Sequence, residues 1–208
     1  MQNQFLHPSD PLLYKKAKLV KKSDLKQKWF LDIVAAMRDV ANIEQHHDRK
    51  RSVMIGLAAP QIGYPHKIAF ANIAANTERT HTETRNVFMV NPRILSRGGR
   101  KLRYQEGCFS ARLTECEVRG IVARNQTIEV EYMTLEGEKI RERIVGFPAV
   151  IIQHEVDHLE GIVFVDHIHN QKDLHIVFPS EYPAYRKHWR HWHHTMNPET
   201  YRKDVSGR

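Results

Sequence analysis

The stretch QHEVDHLEG, residues 153–161, indicates a helix that carries a metal site. It completes an almost unbroken apolar run that starts after Pro148, and a proline fits the first turn of a helix. Within the stretch, His154, Glu155 and His158 form an HExxH pattern. Residues four apart share one helix face, so the two imidazoles can meet one metal ion, with Glu155 beside it as a base. Because buried polar groups without partners are costly, this pattern favours a metal site over a solvated helix surface.

Upstream of that helix, the residue pattern changes to the period of two that is typical of strands. Apolar and polar side chains alternate most clearly over residues 127–134, and Gly137 predicts a turn into a partner strand at 139–145. Further strands are predicted at residues 53–58, 68–73 and 87–91, the last ended by Pro92.

The N-terminal part predicts a further helix, which starts at Ser23 or Asp24 as the N-cap and runs to about Gln45. Its apolar residues recur at spacings of three or four and predict one buried face, made of Leu25, Trp29, Ile33, Met37 and Val40. The whole pattern predicts an α+β fold. We expect antiparallel or mixed sheets around a central metal-binding HExxH helix, with an N-terminal helix and a C-terminal helical tail.

The composition limits the class of protein. The chain has 208 residues and a mass of 24.4 kDa, which suits one domain, and 41% of the residues are hydrophobic, which suffices for a core. No segment approaches the roughly 18 apolar residues that span a bilayer, and we expect neither a membrane protein nor a secretory signal. Two cysteines cannot build a disulfide scaffold, so a reducing, cytoplasmic location is expected. The net charge of +8 favours polyanionic partners.

A catalytic metal site needs a third protein ligand beside two histidines, together with one open position. In the metzincin pattern that ligand would be a third histidine, but Phe164 stands at its position. A thermolysin-like ligand would be Glu181, which lies beyond a loop that contains proline and fits poorly. Upstream, the block EGCFS at residues 106–110 offers a cysteine, and the block GLAAPQ occupies residues 56–61.

These three blocks, in this order, resemble the peptide deformylases, whose signatures are GxGLAAxQ, EGCxS and QHExDHLxG. The resemblance spans about residues 5–168. It implies a catalytic domain at 1–168, followed by a basic extension at 169–208 that is rich in histidine and tryptophan. The implied reaction is hydrolysis of the N-formyl group from the initiator methionine of newly synthesised polypeptides, with release of formate.

The resemblance also implies a role for each site residue. Cys108, His154 and His158 would hold one Fe(II) ion per chain, with Zn, Ni or Co as substitutes. Glu155 would move the proton, while the Gln61 side-chain amide and the backbone N–H of Phe109 would stabilise the oxyanion. The peptide would add as a strand, with its methionine in an apolar pocket. The substrate-binding residues are then Ile55, Gly56, Leu57, Arg119, Phe147, Val150 and Ile151.

Two alternatives remain open at the level of sequence. Met54 replaces the first glycine of the GxGLAAxQ signature and Phe109 replaces a usual leucine, which favours a divergent homologue that acts on other N-acyl peptides. The basic run RKHWRHWHH, residues 186–194, favours a ribosome-binding protein with weak or lost catalysis. In an active enzyme, this tail is expected to contact the ribosome rather than to build the active site. A terminal helix with Trp189 and Trp192 packed on the domain is the alternative.

Overall fold

The computed structural model of the protein describes residues 5–41, 54–76 and 85–208. In these ranges, six strands form one antiparallel sheet: β1 Gly56–Ala58, β2 Ile68–Asn72, β3 Asn86–Gly107, β4 Glu117–Met133, β5 Lys139–Val145 and β6 Leu174–Val177. Their order across the sheet is β1-β2-β3-β4-β5, and β6 also pairs with β4. The α-helices of the same ranges are α1 Lys28–Ala41, α2 Phe147–Leu159, α3 Tyr182–His188 and the short α4 Pro198–Thr200, and short 3-10 turns connect many of the elements. The predicted α+β class is confirmed.

Strands β3 and β4 form a long ribbon, and the predicted strand end at Pro92 is wrong. The register between the two strands shifts between Val90 and Arg93, so that Pro92 lies in a bulge. Because proline has no N–H to donate, a bulge is where a sheet tolerates it. The neighbouring Asn91 has a φ of 53°, and its side chain bonds the backbone of Val20. The bulge therefore lets β3 continue to the block that carries the cysteine.

The alternating segment predicted at residues 127–134 corresponds to the second half of β4. This half pairs with β5 through the predicted turn, and its apolar residues Ile128, Val130 and Tyr132 are buried. Strand β4 starts at Glu117, earlier than predicted, because its first half pairs with β3 on one side and with β6 on the other. That first half is held by the end of β3, which is close in the chain, and by β6, which is distant, and the local residue pattern does not reveal the pairing with β6.

The first helix begins later than predicted. A 3-10 turn at Lys22–Lys26 comes first, with a hydrogen bond from the Lys21 N–H to the Asp24 carboxylate, and α1 follows from Lys28. The predicted helix end at Gln45 lies outside the described residues, as does the first residue of the strand predicted at 53–58.

The buried face of α1 also differs from the predicted one. Ile33 and Met37 are buried as predicted, but Trp29 is 37% exposed, and Phe30 and Val34 are buried instead. The Trp29 ring lies against that of His66, with 4.6 Å between centroids. The predicted position of Trp29 in the core is therefore wrong, because the buried stripe of the helix runs through Phe30, Val34 and Met37 and leaves Trp29 at its edge.

Helix α2 lies against the sheet and contacts β1, β2 and β4. Its apolar residues pack in the core beneath the sheet, and each buried aliphatic side chain stabilises the fold by about 1.5–3 kcal/mol. Because α2 is buried on most sides, its polar residues Gln153, Glu155 and His158 are buried as well. Burial of polar side chains in a helix of this kind needs compensating contacts.

Residues beyond 168 pack onto the same sheet. Strand β6 pairs with the start of β4, and the aromatic residues Tyr185, Trp192 and Tyr201 are buried. The Tyr201 hydroxyl donates a hydrogen bond of 3.1 Å to the carbonyl oxygen of Ala111. The domain boundary at 168/169 stays a prediction, although β6 joins the extension to the sheet. None of the helices within the described ranges has the length and apolar character needed to cross a membrane.

Candidate metal centre

Helix α2 and the end of β3 bring three potential metal ligands together. His154 and His158 lie one turn apart on α2, with their Nε2 atoms 3.3 Å apart. Cys108 follows directly after β3, and its Sγ lies 3.3 Å from the Nε2 of His158. Ligand atoms from all three residues lie within 4.8 Å of one another. The structure thus brings together the three residues for which the sequence predicts metal binding.

The donor set fits a transition-metal ion. Two imidazole nitrogens and one thiolate suit Zn and Fe(II) but not Ca or Mg, which prefer oxygen. With metal–nitrogen distances near 2.1 Å, tetrahedral ligands lie roughly 3.4 Å apart, close to the separations found here. In the described structure the buried Nδ1 of His158 has no hydrogen-bond partner, whereas that of His154 lies 2.8 Å from the Oε2 of Glu106. A carboxylate behind a ligating imidazole orients the ring.

Buried charges surround the centre, and one of them was missed by sequence reasoning. Arg124 on β4 donates two hydrogen bonds to Glu106, from Nε at 2.7 Å and from Nη2 at 3.0 Å. It also bonds Asp157 on α2. Burial by itself raises the pKa of Glu106, but the charge of Arg124 and hydrogen bonds from His154 and Arg124 lower it to about 2. Glu106 therefore stays ionised behind His154, and Arg124 links β3, β4 and α2.

Cys108 and Gln61 share the floor of the site. Burial raises the pKa of the Cys108 thiol, but the nearby imidazoles of His158 and His154 outweigh it and hold the pKa well below its usual range. The Gln61 side chain accepts a hydrogen bond of 2.7 Å from the Ala58 N–H. That contact turns its Nε2 towards Cys108, where it donates to Sγ at 3.1 Å. A thiol with a lowered pKa and an oriented amide donor therefore lie side by side.

Glu155 points into the same space without being one of the converging ligands. Burial raises its pKa to about 7, with His154 and His158 opposing the shift. Its Oε2 is buried and has no hydrogen-bond partner in the described structure. A Cβ on Gly56 would collide with the Oε1 of Glu155 and with Ile151, so glycine is needed where β1 crosses α2.

A cavity of about 410 Å³ opens over these residues. Gln61, Cys108, Phe109 and His154 line it, whereas His158 lies buried behind them. Six of the seven predicted substrate-binding residues also line it: Ile55, Gly56, Arg119, Phe147, Val150 and Ile151. Leu57 does not line it, because its side chain is buried between β1 and the N-terminal helix. The predicted strand addition involves the backbone of residues 55–57, so a role for Leu57 in substrate binding stays a prediction.

The C-terminal extension contributes two residues to the cavity that sequence reasoning missed. Tyr182 and Arg186, both on α3, line its outer wall. The Tyr182 hydroxyl lies 2.9 Å from the Nη2 of Arg119 and also bonds Glu117. The expectation that the tail takes no part in the site is wrong, because the pairing of β6 with β4 places α3 beside the cavity.

A family model described as polypeptide deformylase matches residues 3–174 of this chain. The chain belongs to the peptide deformylase family. Peptide deformylase 2 of Bacillus subtilis (strain 168) is 35% identical over 148 residues, which are 70% of this chain and 77% of that protein. The peptide deformylase of Enterococcus faecalis is 36% identical over 119 residues, 56% of this chain. This chain spans 62% of the length of the Enterococcus protein.

Solved structures of deformylases share the fold. A Met-Ala-Ser-bound class I type b peptide deformylase from Acinetobacter baumannii superposes with a TM-score of 0.66 at 32% identity, over 79% of this chain and 96% of that chain. The peptide deformylase from Ehrlichia chaffeensis has a TM-score of 0.63 at 25% identity, over 79% and 87% of the chains. These comparisons establish the family and the shared fold of the chain.

The two departures from the deformylase signatures both line the cavity. Met54 packs partly against the core near the N-terminal helix. The Phe109 ring stacks on Phe5, with centroids 4.9 Å apart and 17° between planes. Both substitutions change the rim of the cavity and leave Cys108, His154 and His158 in place.

Proposed function

We propose that this chain hydrolyses the N-formyl group from the initiator methionine of newly synthesised polypeptides and releases formate. The observation that carries this proposal is the convergence of Cys108, His154 and His158, with Cys108, His154 and Glu155 lining an open cavity. Membership of the deformylase family limits the reactions to be expected, and the site contains a residue suited to each chemical role. The fold around the site supports a central HExxH helix that binds the metal.

Cys108, His154 and His158 would hold the ion, which we propose is one Fe(II) per chain, with Zn, Ni or Co as substitutes. When bound, the ion supplies Lewis-acid chemistry to the formyl oxygen and lowers the pKa of water. Glu155 accepts a proton from the attacking water and passes it to the nitrogen of the leaving amine. The products are formate and a free N-terminal amine.

The developing oxyanion needs hydrogen-bond donors that are already in position. Gln61 fits this role, because the Ala58 N–H holds its side-chain oxygen and turns its NH₂ group towards the site. The backbone N–H of Phe109, next to Cys108, would be the second donor. Loss of one such donor typically raises the barrier by about 3 kcal/mol.

We propose that the peptide binds as an added strand beside Ile55, Gly56 and Leu57. In the described part of the chain, β1 pairs only with β2, which leaves its other edge available for a peptide backbone. The methionine side chain would enter the cavity between Phe147, Val150 and Ile151, with the stem of Arg119 on the far wall. Leu57 would take part through its backbone alone.

The proposal is tested by formate release from formyl-Met-peptides, with anaerobically prepared protein and metal analysis of the same sample. We expect turnover that scales with occupancy of one metal ion per chain. Turnover on N-acetyl peptides but not on formyl peptides would support the divergent homologue instead. Full metal occupancy without turnover on either substrate would overturn the enzyme proposal.

We further propose a cytoplasmic location and contact with the ribosome, where the substrate is made. Exposed Arg186, Lys187 and Arg190 suit phosphate contacts, and the Arg190 guanidinium lies over Trp189 at 4.3 Å. Trp192 is not available for base stacking, since it is buried and its Nε1 donates to the Ile176 carbonyl. The residues from 169 onwards would then both complete the fold and provide a basic surface.

Co-sedimentation with ribosomes at increasing salt tests this contact. Reversal of Lys187 and Arg190 to Glu should weaken a salt-sensitive association, whereas reversal of Lys28 and Lys139, on distant elements, should not. If both pairs of substitutions weakened the association with ribosomes equally, the net charge of the chain, and not this surface, would be responsible for it.

A further inference from the structure

A second group of metal-ligating side chains lies on the C-terminal extension, apart from the residues that build the cavity. One carboxylate oxygen of Glu181 and one ring nitrogen each of His193 and His194 lie within 4.8 Å of one another. The Oε1 of Glu181 is 2.9 Å from the Nδ1 of His194. The ring centroids of His193 and His194 are 4.1 Å apart. Three donor groups therefore face one point on the surface.

The two histidines are neighbours in sequence, and their convergence depends on how the backbone is anchored. Successive side chains of an extended segment normally point to opposite sides. Here the Ile176 N–H on β6 donates to the carbonyl oxygen of His194, and the Trp192 indole donates to the carbonyl oxygen of Ile176. The buried Trp192 ring also lies 5.0 Å from His193 and 6.0 Å from His194, centroid to centroid. The rings are thus held by contacts that do not require a ligand.

The carboxylate is oriented as well. The Phe178 N–H donates a hydrogen bond of 3.0 Å to the Oε2 of Glu181, so that Oε1 is the oxygen that faces the histidines. This hydrogen bond and the proximity of His194 lower the pKa of Glu181, which is therefore ionised at neutral pH. An anionic oxygen and two imidazoles meet before any ion is bound, which reduces the entropy cost of forming a site.

We propose that Glu181, His193 and His194 bind a second divalent transition-metal ion, Zn(II), with solvent in the remaining coordination positions. Two imidazoles and one carboxylate are a ligand set that zinc sites use, whereas Ca(II) and Mg(II) prefer oxygen alone. At zinc–ligand distances of about 2.0–2.2 Å, tetrahedral donors lie roughly 3.4 Å apart, whereas these three lie within 4.8 Å of one another and one pair is 2.9 Å apart, so their separations must adjust. Because two of the side chains are exposed, rotation about their χ angles can supply this movement. This site does not depend on the proposed deformylase activity.

A bound ion would connect two segments that flank α3. Glu181 directly precedes Tyr182, whose hydroxyl bonds Arg119 on the cavity wall, and His194 is bonded through its backbone to β6. The ion would therefore fix the start of α3 relative to the sheet. Since an ion that binds only the folded state stabilises it, zinc should raise the melting temperature of the chain.

The test starts from protein that already carries one Zn(II) per chain at Cys108, His154 and His158. Exchange of zinc at that centre then adds no bound zinc to the count. Further Zn²⁺ is titrated by isothermal calorimetry, and bound zinc is counted after desalting at a fixed free concentration. We expect one additional equivalent and a higher melting temperature. His193→Ala/His194→Ala should weaken this second binding at least tenfold, and Glu181→Gln should weaken it while keeping an acceptor for the Phe178 N–H.

The matched control is His188→Ala/His191→Ala, which removes two exposed histidines from the same extension but outside the cluster. It should bind the second equivalent like the unmodified chain. The proposal is overturned if the unmodified chain binds no second equivalent, or if the two double variants lose affinity equally. Cys108→Ser distinguishes the centres, because it should weaken the first equivalent and leave the second unchanged.

Discussion

At the scale of single residues, Glu155 lies in surroundings unlike those of an ordinary surface carboxylate. It is buried, its Oε2 has no partner in the described structure, and the converging ligand atoms come from Cys108, His154 and His158 instead. Glu155→Ala should therefore retain the metal while formate release falls by about 10²–10⁴-fold, the usual contribution of a general base. Metal analysis and turnover are measured on the same preparation. A parallel loss of metal and turnover would make Glu155 a ligand.

Cys108 carries a second prediction at this scale. Cys108→Ser should lower metal occupancy, because a serine hydroxyl stays protonated where the thiol of Cys108, with its lowered pKa, is a thiolate. In the unmodified chain, an Fe(II) form should lose activity in air while a Zn or Ni form survives, since a thiolate beside redox-active iron is open to oxidation. Normal occupancy and rate in the serine variant would mean that the third ligand lies elsewhere.

At the scale of elements, Arg124 joins β4 to β3 through Glu106 and to α2 through Asp157. Its side chain is only 5% exposed, so its removal takes the arginine away from the buried carboxylate of Glu106 and the partly buried one of Asp157. Arg124→Met should lower the free energy of unfolding by about 3–5 kcal/mol, measured by urea denaturation. Arg141→Met is the control, because it removes an exposed arginine of β5 that also makes two hydrogen bonds to one carboxylate, and it should cost far less. Similar losses of unfolding free energy in the two variants would contradict the expectation that Arg124 stabilises the fold more because it is buried.

Helix α3 supplies the second prediction of this scale. Tyr182→Phe removes the hydroxyl that bonds Arg119 and Glu117, and so loosens one wall of the cavity. We expect the KM for formyl-tripeptides to rise a few-fold with little change in kcat, because substrate and transition state lose the same contact. Tyr132→Phe, which removes a hydroxyl bonded to Glu142 away from the cavity, should change neither constant. A lower kcat at constant KM would assign Tyr182 to the chemical step.

At the scale of the whole molecule, the C-terminal extension is a structural part of the fold. Truncation after residue 180 removes the buried side chains of Tyr185, Trp192 and Tyr201. Loss of one large buried aromatic side chain typically costs 3–5 kcal/mol, and a whole domain is stable by about 5–15 kcal/mol. We therefore expect the truncated chain to lose its cooperative thermal transition, followed by circular dichroism. A truncated chain that melts cooperatively and turns over formyl-tripeptides would show that these residues are dispensable.

The sequence by itself determined the features that depend on residues close together in the chain. The spacing of His154 and His158 predicts a shared helix face, and the alternation around Ile128 and Val130 predicts a half-buried strand, because both periods are local properties of the backbone. The resemblance of three blocks to the deformylases added Cys108 as a third ligand candidate. Within the described structure, these predictions correspond to α2, the second half of β4 and one cluster of ligand atoms.

Only the tertiary structure decided features that join distant parts of the chain. Strand β3 passes Pro92 because β4 pairs with it across a bulge, and Arg124 reaches Glu106 and Asp157 because three elements meet there. Tyr182 reaches the cavity because β6 pairs with β4. The physical reason is the same in each case. Hydrophobic periodicity reports which face of a segment is buried, but not which distant segment covers it or which polar side chains meet there.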